Sequence, residues 1–385
     1  MRYIRPDYYD TFRCLADRCP SSCCEGWQIV IDEASLEKYR GYQGDFGRRM
    51  ARSVSWEDGT FRQYEGRCAM LNREGLCDLY IEKGEEALCE TCTRYPRHVE
   101  EFENVREYSL SLSCPEAARI MLEEDRELSF VTEDTPEEET FEEGFDFLLY
   151  TNLVDAREAL YALLQRRDLP FEEKERACLA FAGGVQLLLE EGDYPGMEEW
   201  IRTGGKQEPG LPEEERWVNP ARLSCYDRLL EELRVLEGLE RLEPAWEALL
   251  REEEAFLRQA GEEKYEKIRA SFRESLESSG PGREAWDRRL EKLALFFVYT
   301  YFCGAVYDDA VHAKVCLAFF STRWIQELVM MEWYVQGTTA DIEALIRVSH
   351  RYAREIEHSD ENLNALDDYF WDRTHERGCP KTMNF

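Results

Sequence analysis

Hydrophobic periodicity divides the chain into two regions. From Pro115 onward, apolar residues recur every three or four positions, which is the period of amphipathic helices, as in RLLEELRVLEGLERL at 228–242. This pattern predicts a helix that begins at Pro115 and further helices at 154–167, 172–191, 226–242, 244–277, 284–303, 309–335 and 339–357. Segments rich in glycine and proline at 203–212 and 278–282 are predicted loops. The C-terminal region is therefore predicted to be an all-α bundle.

The first 120 residues lack this period. Glycines interrupt residues 41–84 at short intervals, as is typical of turns. WQIVI at 27–31 is the clearest strand candidate, and SLEKYRGY is predicted to be a short helix capped by Ser35. The acidic stretch 127–144 is predicted to be a linker or exposed loop. We expect a mainly α protein, with a small loop-rich metal-binding module at 1–120 and an acidic helical domain at 121–385.

Composition narrows the functional classes. The 385 residues are 43% hydrophobic and 12% aromatic, enough to form a sizeable core. Asp and Glu number 81 against 48 Lys and Arg, and 28 of the 33 net negative charges arise after residue 119. General nucleic-acid binders need a basic surface, and anionic lipid would repel this protein. We therefore expect neither nucleic acid nor membrane as a partner.

The expected location is the cytoplasm. The opening MRYIRPDYYD carries charges throughout and lacks the apolar segment of a secretory signal. The longest uncharged stretch, Leu293–Tyr307, is shorter than the ~18–20 residues that a membrane-spanning helix needs. Thiols stay reduced in the cytoplasm, so clustered cysteines there indicate metal binding rather than disulfides.

Nine of the 14 cysteines fall within the first 119 residues, and the other five are scattered. The clustered nine are Cys14, Cys19, Cys23, Cys24, Cys68, Cys77, Cys89, Cys92 and Cys114; the others are Cys178, Cys225, Cys303, Cys316 and Cys379. Thiolates separated by two to four residues can converge on one ion or cluster. Nine exceed the four ligands of one zinc ion or one [4Fe–4S] cluster, so either the centre is multinuclear or some cysteines only support it. A zinc-stapled domain without chemistry is the main alternative at this stage.

Four segments carry a family resemblance. FRCLADRCPSSCCEGWQIVID, CAMLNREGLCDLY, CETCTRYPR and SLSCPEAAR resemble the bacterial flagellin lysine-N-methylase family. The first region is also similar to a broader family of putative zinc- or iron-chelating cysteine-cluster proteins, whose C-x-x-aromatic-Pro ending is matched by Cys92–Pro96. The resemblance covers most of residues 3–120 and is looser in the helical region, where it includes YFCGAVYDD and NLNALDDYF.

The resemblance implies an activity and its cofactors. It implies S-adenosylmethionine-dependent methyl transfer to the ε-amino group of lysines on flagellin or another lysine-bearing protein. It also implies a [4Fe–4S] cluster held by the N-terminal cysteines, with zinc as the alternative. The C-x3-C-x2-C pattern of radical S-adenosylmethionine enzymes does not occur, because the cysteine after Cys23 is adjacent to it.

Methyl transfer to lysine needs a held donor, an apolar slot for the lysine stem and loss of the ammonium proton. Arg94, Arg97 and His98 flank Cys92 and could bind the donor's carboxylate or offset the charge of a thiolate cluster; they could equally be surface residues of a turn. The aromatic residues of 296–307 could line a slot, although so apolar a helix is typical of a core. His312 and His350 are isolated, as structural histidines are.

Two other functions remain open at this point. One is a non-catalytic zinc- or iron-binding protein with an acidic partner-binding surface. The other is a redox or metal-handling factor that uses the surplus cysteines.

Overall fold

The predicted mainly α architecture is confirmed. The computed structural model describes residues 1–123, 127–137, 143–205 and 224–375. Cys379 and most of the predicted loop at 203–212 lie outside these ranges. The helices after residue 114 are α5 (Pro115–Glu123), α6 (Phe147–Leu164), α7 (Phe171–Glu190), α8 (Tyr194–Arg202), α9 (Cys225–Gly238), α10 (Pro244–Ser278), α11 (Arg283–Tyr301), α12 (Ala305–Asp308), α13 (Val311–Gln336), α14 (Ile342–Ile356) and α15 (Asp360–His375).

Helix α13 is the centre of the bundle. It packs against α7, α10, α11, α14 and α15, and most of its side chains are buried. Its mixture of apolar residues on every face explains this position, since a helix that is hydrophobic all round must be covered all round.

Short polar side chains begin several of these helices. The side chains of Asp146, Asp193, Ser224 and Asp341 each accept a hydrogen bond from a backbone N–H in the first turn of α6, α8, α9 and α14. Helix α10 is interrupted at Gly261, whose φ of 63° and ψ of 168° are not helical. The predicted helices are therefore present, and α8 and α15 are two that the periodicity missed.

A four-stranded sheet joins the N-terminus to the bundle. Its strands are β1 (Arg2–Pro6), β6 (Arg97–Phe102), β7 (Val105–Leu110) and β8 (Phe130–Asp134), in the order β6-β7-β1-β8. β1 runs parallel to β7 and antiparallel to β8, so that Arg2 lies opposite both Val105 and Asp134. The prediction that 127–144 is only a loop or linker was wrong for Phe130–Asp134. Phe130 stacks on Tyr161 and Tyr299, which anchors this acidic strand to the helices.

The cysteine-rich region consists of short elements joined by turns. They are α1 (Glu33–Arg40), α2 (Gly44–Ser53), β2 (Val54–Ser55), β3 (Thr60–Phe61), β4 (Gln63–Tyr64), β5 (Arg67–Cys68), α3 (Asp78–Lys83) and α4 (Glu90–Arg94). The strand expected at 27–31 is wrong: Val30 makes only an isolated bridge with Thr60. Burial of Ile29 and Ile31 in the core of this region accounts for the apolar pattern there. The cap of α1 is Asp32 rather than Ser35, because the Asp32 carboxylate accepts the Ser35 N–H at 2.9 Å.

Among the described residues, the buried apolar side chains form two hydrophobic cores. The smaller core contains Ile29, Ile31, Tyr39, Met50, Val54, Phe61, Met70 and Leu79 together with Cys68 and Cys89. The larger core contains the helices, and Tyr8, Phe12, Phe102, Leu110 and Leu112 also belong to it. The sheet and the residues that follow it thus share the core of the bundle, whereas the division near residue 120 stays a prediction.

A buried ion pair ties the sheet to the bundle. Arg157 of α6 donates from both terminal nitrogens to the Glu107 carboxylate of β7 at 2.5 Å, and also to the Tyr299 carbonyl at 3.3 Å. Both side chains are almost fully buried. Removing either partner would leave a buried charge uncompensated, so the contact fixes sheet and helices in one arrangement.

The most apolar helix is a core helix. The segment Arg283–Asp308 is long and apolar enough to cross a membrane by length and composition alone, yet 78% of its apolar window is buried inside the protein. Its neighbours in the fold therefore cover the surface that lipid would otherwise cover.

Glu253 of α10 is a buried acid in the bundle. It is fully buried, and neither of its carboxylate oxygens has a hydrogen-bond partner among the described residues. Burial and the nearby Glu327 raise the pKa of Glu253 well above its ordinary value. Glu327 receives a hydrogen bond of 2.9 Å from the Tyr265 hydroxyl, and burial raises its pKa as well. The folded protein thus favours the protonated form of this pair.

We predict that this pair makes stability fall as pH rises. A carboxyl whose pKa is raised on folding stabilises the fold at low pH, and that contribution is lost as pH climbs above the ordinary Glu pKa of about 4.3. Glu253→Gln should flatten the pH dependence of the free energy of unfolding between about pH 5 and pH 8, and stabilise the protein at the upper end by about 1–3 kcal/mol. Urea titrations at several pH values measure this. The exposed neighbour Glu252→Gln is the control, and equal slopes in all three proteins would contradict the prediction.

Candidate functional site

The structure brings cysteines from four segments together. They are the Cys23–Cys24 loop, Cys68 at the end of β5, Cys77 before α3, and Cys89 with Cys92 at α4. The Cys68 N–H donates to the Cys24 carbonyl at 2.9 Å. Cys24, Cys68, Cys77, Cys89 and Cys92 all belong to or pack against the smaller core. We call these five residues with Cys23 the thiol cluster.

Hydrogen bonds within the thiol cluster pair its neighbours. The Cys24 thiol donates to Cys23, which lowers the pKa of Cys23 to about 7, and Arg354 also favours this thiolate. The Cys92 thiol likewise donates to Cys89 and lowers the pKa of Cys89. Burial instead raises the pKa of Cys68 to about 12. The cluster therefore contains both thiolate-favouring and thiol-favouring positions.

The remaining N-terminal cysteines lie at the edge of this cluster. Cys14 is exposed, Cys19 is half-buried and donates to the Ser21 carbonyl at 2.9 Å, and Cys114 is buried. Cys114 lies near both Cys19 and Cys23, and burial raises its pKa to about 12. The four described scattered cysteines sit in the helices, with Cys178 and Cys303 buried and Cys225 and Cys316 half-buried.

The donor set suits a thiophilic metal centre. All thirteen cysteines of the described ranges carry free thiols. Within those ranges, no group of three or more His, Cys, Asp or Glu side chains is close enough together to hold a metal ion. The chemistry still fits, because cysteine thiolates from several segments are the ligands of structural zinc and of iron–sulfur clusters. Which of the nine bind a metal stays a prediction.

The three residues predicted to bind a cofactor do not converge. Arg94 lies on the exposed surface of α4 and pairs with Glu90. Arg97 of β6 lies over the Phe12 ring, with its guanidinium carbon 5.2 Å from the ring centroid. His98 points to the other face of the strand and shares a hydrogen bond of 2.6 Å with Glu100. Burial lowers the pKa of His98, but this hydrogen bond and the charges of Glu100 and Glu357 outweigh that effect and raise it.

The aromatic residues of 296–307 form core rather than a slot. Phe296, Phe297, Tyr299 and Phe302 are buried. Tyr307 is exposed, and its hydroxyl donates to the Glu101 carbonyl at 2.8 Å. His312 is buried as well and shares a hydrogen bond of 3.0 Å with Thr374, as expected of a structural histidine.

Arg354 of α14 holds the loop of residues 21–26, which we call the first cysteine loop, against the bundle. It donates to the Ser21 hydroxyl at 2.7 Å, to the Ser22 carbonyl at 3.1 Å and to the Glu25 carbonyl. Its guanidinium also pairs with Glu243, at the start of α10, at 2.9 Å. The loop comes this close because Gly26 has no side chain. A Cβ there would lie 2.9 Å from the Glu243 Oε1 and 3.2 Å from the Arg354 Nη2, and its φ of +85° also favours glycine.

A second network runs beside Arg354 through two serines. The Ser113 hydroxyl shares hydrogen bonds with His358 Nε2 at 2.8 Å, with the Tyr95 hydroxyl at 3.0 Å and with Ser111 at 2.6 Å. The Ser111 hydroxyl in turn bonds to the Glu357 carboxylate. We call this chain of groups, from Tyr95 and His358 through Ser113 and Ser111 to Glu357, the serine relay.

Aromatic rings line the outer end of the serine relay. Trp27 stacks on Tyr95 with ring centroids 5.9 Å apart, and the His358 ring lies 5.1 Å from Trp27. All three side chains are half-buried. The Trp27 Nε1–H donates to the Cys23 carbonyl at 2.8 Å, which places this aromatic cluster next to the thiol cluster.

His358 of the serine relay and the neighbouring His350 are neutral, and the acid of the relay has a raised pKa. Burial lowers the pKa of His358 to about 3 and that of His350 to about 4. His350 Nδ1 is therefore a neutral donor, and it bonds the Ser113 carbonyl at 2.7 Å. Burial raises the pKa of Glu357 to about 7, although the Ser111 hydrogen bond and the charge of His98 lower it. A carboxyl with that pKa can take up and release a proton near neutral pH.

The site residues at the C-terminal end of α14 were missed from the sequence. His350 and Arg354 lie in α14, and Glu357 and His358 follow its last residue; the four occur at i, i+4, i+7 and i+8, a spacing that predicts one helix face. That spacing was the available signal. His350 itself is buried and bonds a backbone carbonyl, as a structural histidine does. Trp27, Tyr95, Ser111 and Ser113 come from separate segments and gave no local signal.

Comparisons with known proteins identify the family. A model of the FliB lysine N-methylase C-terminal domain matches residues 157–377, more than half of the chain. No solved structure matches significantly.

Similar curated proteins come from Salmonella. The chain is 28% identical over 145 residues to a lysine-N-methylase of Salmonella typhimurium and to one of Salmonella choleraesuis; each alignment covers 35% of this chain and 36% of the relative. It is 29% identical over 126 residues to the flagellar biosynthetic protein FliU of Salmonella muenchen, covering 30% of this chain and 75% of the relative. The matches thus span about a third of the length of the two methylases. With the match of its helical domain, the chain belongs to the FliB lysine N-methylase family.

Proposed function

We propose that the protein transfers methyl groups from S-adenosylmethionine to the ε-amino groups of lysines on flagellin or a similar lysine-bearing protein. Family membership and the names of the Salmonella relatives support lysine methylation and a flagellar substrate. One structural observation carries the proposal: the half-buried aromatic cluster opens onto a proton route that ends in Glu357. The reaction belongs in the cytoplasm, where free thiols persist.

The aromatic cluster suits a lysine side chain. A lysine has an apolar stem and a cationic head, and the faces of tryptophan and tyrosine attract such cations. The half-buried Trp27 and Tyr95 rings stack on each other at an interplanar angle of 30°. The acidic helical domain adds a longer-range attraction for lysine-bearing surfaces.

The serine relay suits removal of the ammonium proton. Only the neutral amine attacks a methyl group, so the lysine must lose a proton first. Neutral His358 and Tyr95 lie at the lysine end and pass hydrogen bonds through Ser113 and Ser111 to Glu357. Glu357 is the group of the relay that can hold the proton, and it acts through the serines rather than by touching the lysine.

The methyl donor supplies an electrophilic methyl group on a sulfonium, and the amine nitrogen forms the new bond to carbon as the bond to sulfur breaks. Because Arg94, Arg97 and His98 do not converge, they would not hold the donor's carboxylate together, and of the three we propose His98 as its holder. His98 has a link to the site, since its charge acts on Glu357.

The thiol cluster is the proposed binding site of a [4Fe–4S] cluster, with zinc as the alternative. The four ligands are proposed to come from Cys24, Cys68, Cys77, Cys89 and Cys92, because these cysteines belong to or pack against one small core. When bound, such a centre supplies a covalent staple for a region with few regular elements. The Trp27 contact with the Cys23 carbonyl then connects that staple to the lysine site.

We predict that the protein methylates lysines of flagellin from the same host when S-adenosylmethionine is supplied. Mass spectrometry of the flagellin reports added methyl groups. Trp27→Leu should raise KM about tenfold through loss of an aromatic face, with a smaller effect on kcat. The matched control is Trp56→Leu, because Trp56 lies over Arg40 on the outside of the same module. Absence of methylated lysine with the metal centre intact would remove the proposal.

We predict that kcat/KM rises with pH through about 7 because Glu357 must be ionised to accept a proton. Glu357→Gln should abolish that limb of the profile and lower kcat about 10²–10⁴-fold. The exposed Glu361→Gln is the control. A profile that keeps the limb in Glu357→Gln would contradict this role. Four groups on other elements also affect the titration of Glu357. They are Ser111, His98, Tyr301 and Tyr8.

We predict iron and acid-labile sulfide in anaerobically purified protein. Cys92→Ser should lose most of this metal, whereas Cys225→Ser, in the helical domain, should keep it. Visible absorbance and elemental analysis measure both. Colourless protein with zinc alone would overturn the iron–sulfur centre, and full metal content in Cys92→Ser would overturn the ligand assignment.

A further inference from the structure

An arginine-rich groove lies on the outer side of the cysteine module. Two adjoining concavities, of about 450 and 320 Å³, share Arg49, Tyr64 and Ala69. Arginine is the charged residue that both concavities have in excess. The five that line them are Arg48, Arg49, Arg52, Arg67 and Arg73.

The arginine groove carries positive charge that its own acids do not balance. Within the described residues, Arg48 pairs with Asp45, Arg49 with Asp78, and Arg67 with Glu25. The exposed side chains of Arg52 and Arg73 have no acidic partner there. This surplus is unusual on a chain whose net charge is −33. An anionic ligand would therefore be attracted to this groove, and a basic ligand would be repelled.

Tyr64 gives the groove an aromatic centre. Its side chain is 61% exposed, and it sits in β4 opposite Arg67 of β5. An exposed tyrosine between arginines is typical of interaction surfaces, because it offers apolar area and a polar tip with little loss of side-chain entropy.

The arginine groove adjoins the proposed lysine site. Gln63, next to Tyr64, donates from its side chain to the Trp27 carbonyl at 2.9 Å. The Gly26 N–H donates to the Gly66 carbonyl at 2.8 Å, in the turn that joins β4 to β5. The hairpin that carries Tyr64 and Arg67 is therefore bonded to the loop that carries Trp27. An extended peptide covers about 3.3–3.6 Å per residue, so one short segment can reach from the aromatic cluster into the groove.

We infer that the arginine groove binds an acidic segment of the substrate protein, so that lysines a few residues from Asp or Glu are methylated in preference to others. This inference rests on the proposed function and names the substrate class of the same site. Carboxylates suit these arginines because the guanidinium fork binds them through two hydrogen bonds. Nucleic acid offers anions too, but the acidic remainder of the chain repels a long polyanion.

Paired peptides test the inference. Two peptides share one lysine and differ only in carrying Asp-Asp or Asn-Asn at a set distance from it, with the distance varied across the series. At low salt, wild-type protein should methylate the acidic peptide with a kcat/KM about tenfold higher at the best distance. The Arg52→Ala/Arg73→Ala double variant should lose that preference and keep its rate on the neutral peptide. The Arg251→Ala/Arg258→Ala variant, which removes two exposed arginines of α10, should behave as wild type.

Binding gives a second measurement that does not depend on turnover. A fluorescent acidic peptide without lysine should bind wild-type protein and be released by added polyglutamate, and the double variant should not bind it. Equal methylation of both peptides, or a preference that survives in the double variant, would overturn the inference while leaving the methylase intact. Release by inorganic phosphate or by an RNA oligonucleotide at equal charge would overturn it as well, in favour of another anion. No methylation of any peptide or of flagellin would instead count against the proposed function.

Discussion

The contacts of one arginine hold the candidate site together. Arg354 is buried, and a buried guanidinium is tolerated only where acceptors replace its water. Those acceptors belong to the first cysteine loop and to Glu243. The loop therefore supplies the acceptors that make burial of the guanidinium possible, and these hydrogen bonds in turn hold the loop beside α14. The aromatic cluster and the serine relay lie beside this contact, since Trp27 follows the loop and His358 follows Arg354 along the chain.

The contact also couples the thiol cluster to the serine relay. Cys23 stands between them, since its carbonyl accepts the Trp27 ring N–H while its thiolate lies in the field of Arg354. A metal centre that fixed the cysteines would fix Trp27 as well, and with it the ring that faces His358. Under the proposed function, a thiol-bound centre would position the lysine site through Trp27, without contact between the metal and the transferred group.

Features of the fold that depend on neighbouring residues were predictable from the sequence, and features that depend on contacts between distant segments were not. Periodicity located most helices because each carries its own apolar face, and close spacing identified the cysteines as a group. The strand expected at 27–31 failed because Ile29 and Ile31 are buried in coil. The aromatic slot was predicted in 296–307, where a high density of apolar residues indicates core, whereas the half-buried rings of the site are single residues such as Trp27 and Tyr95. The serine relay joins segments that no spacing rule connects, and only the folded chain brings them together.

Gly26 has a consequence for recognising distant relatives. Paired cysteines followed after one residue by glycine, as in CCEG, are compatible with a loop pressed against a helix, since any larger side chain would meet Arg354 and Glu243. A sequence that has CC-x-G near its start and H-x3-R-x2-E-H at the end of a late helix has both sides of this contact. We expect this pair of short patterns to recur where the same contact between the cysteine loop and α14 is made, and it can be searched for in chains too diverged for overall identity to be informative.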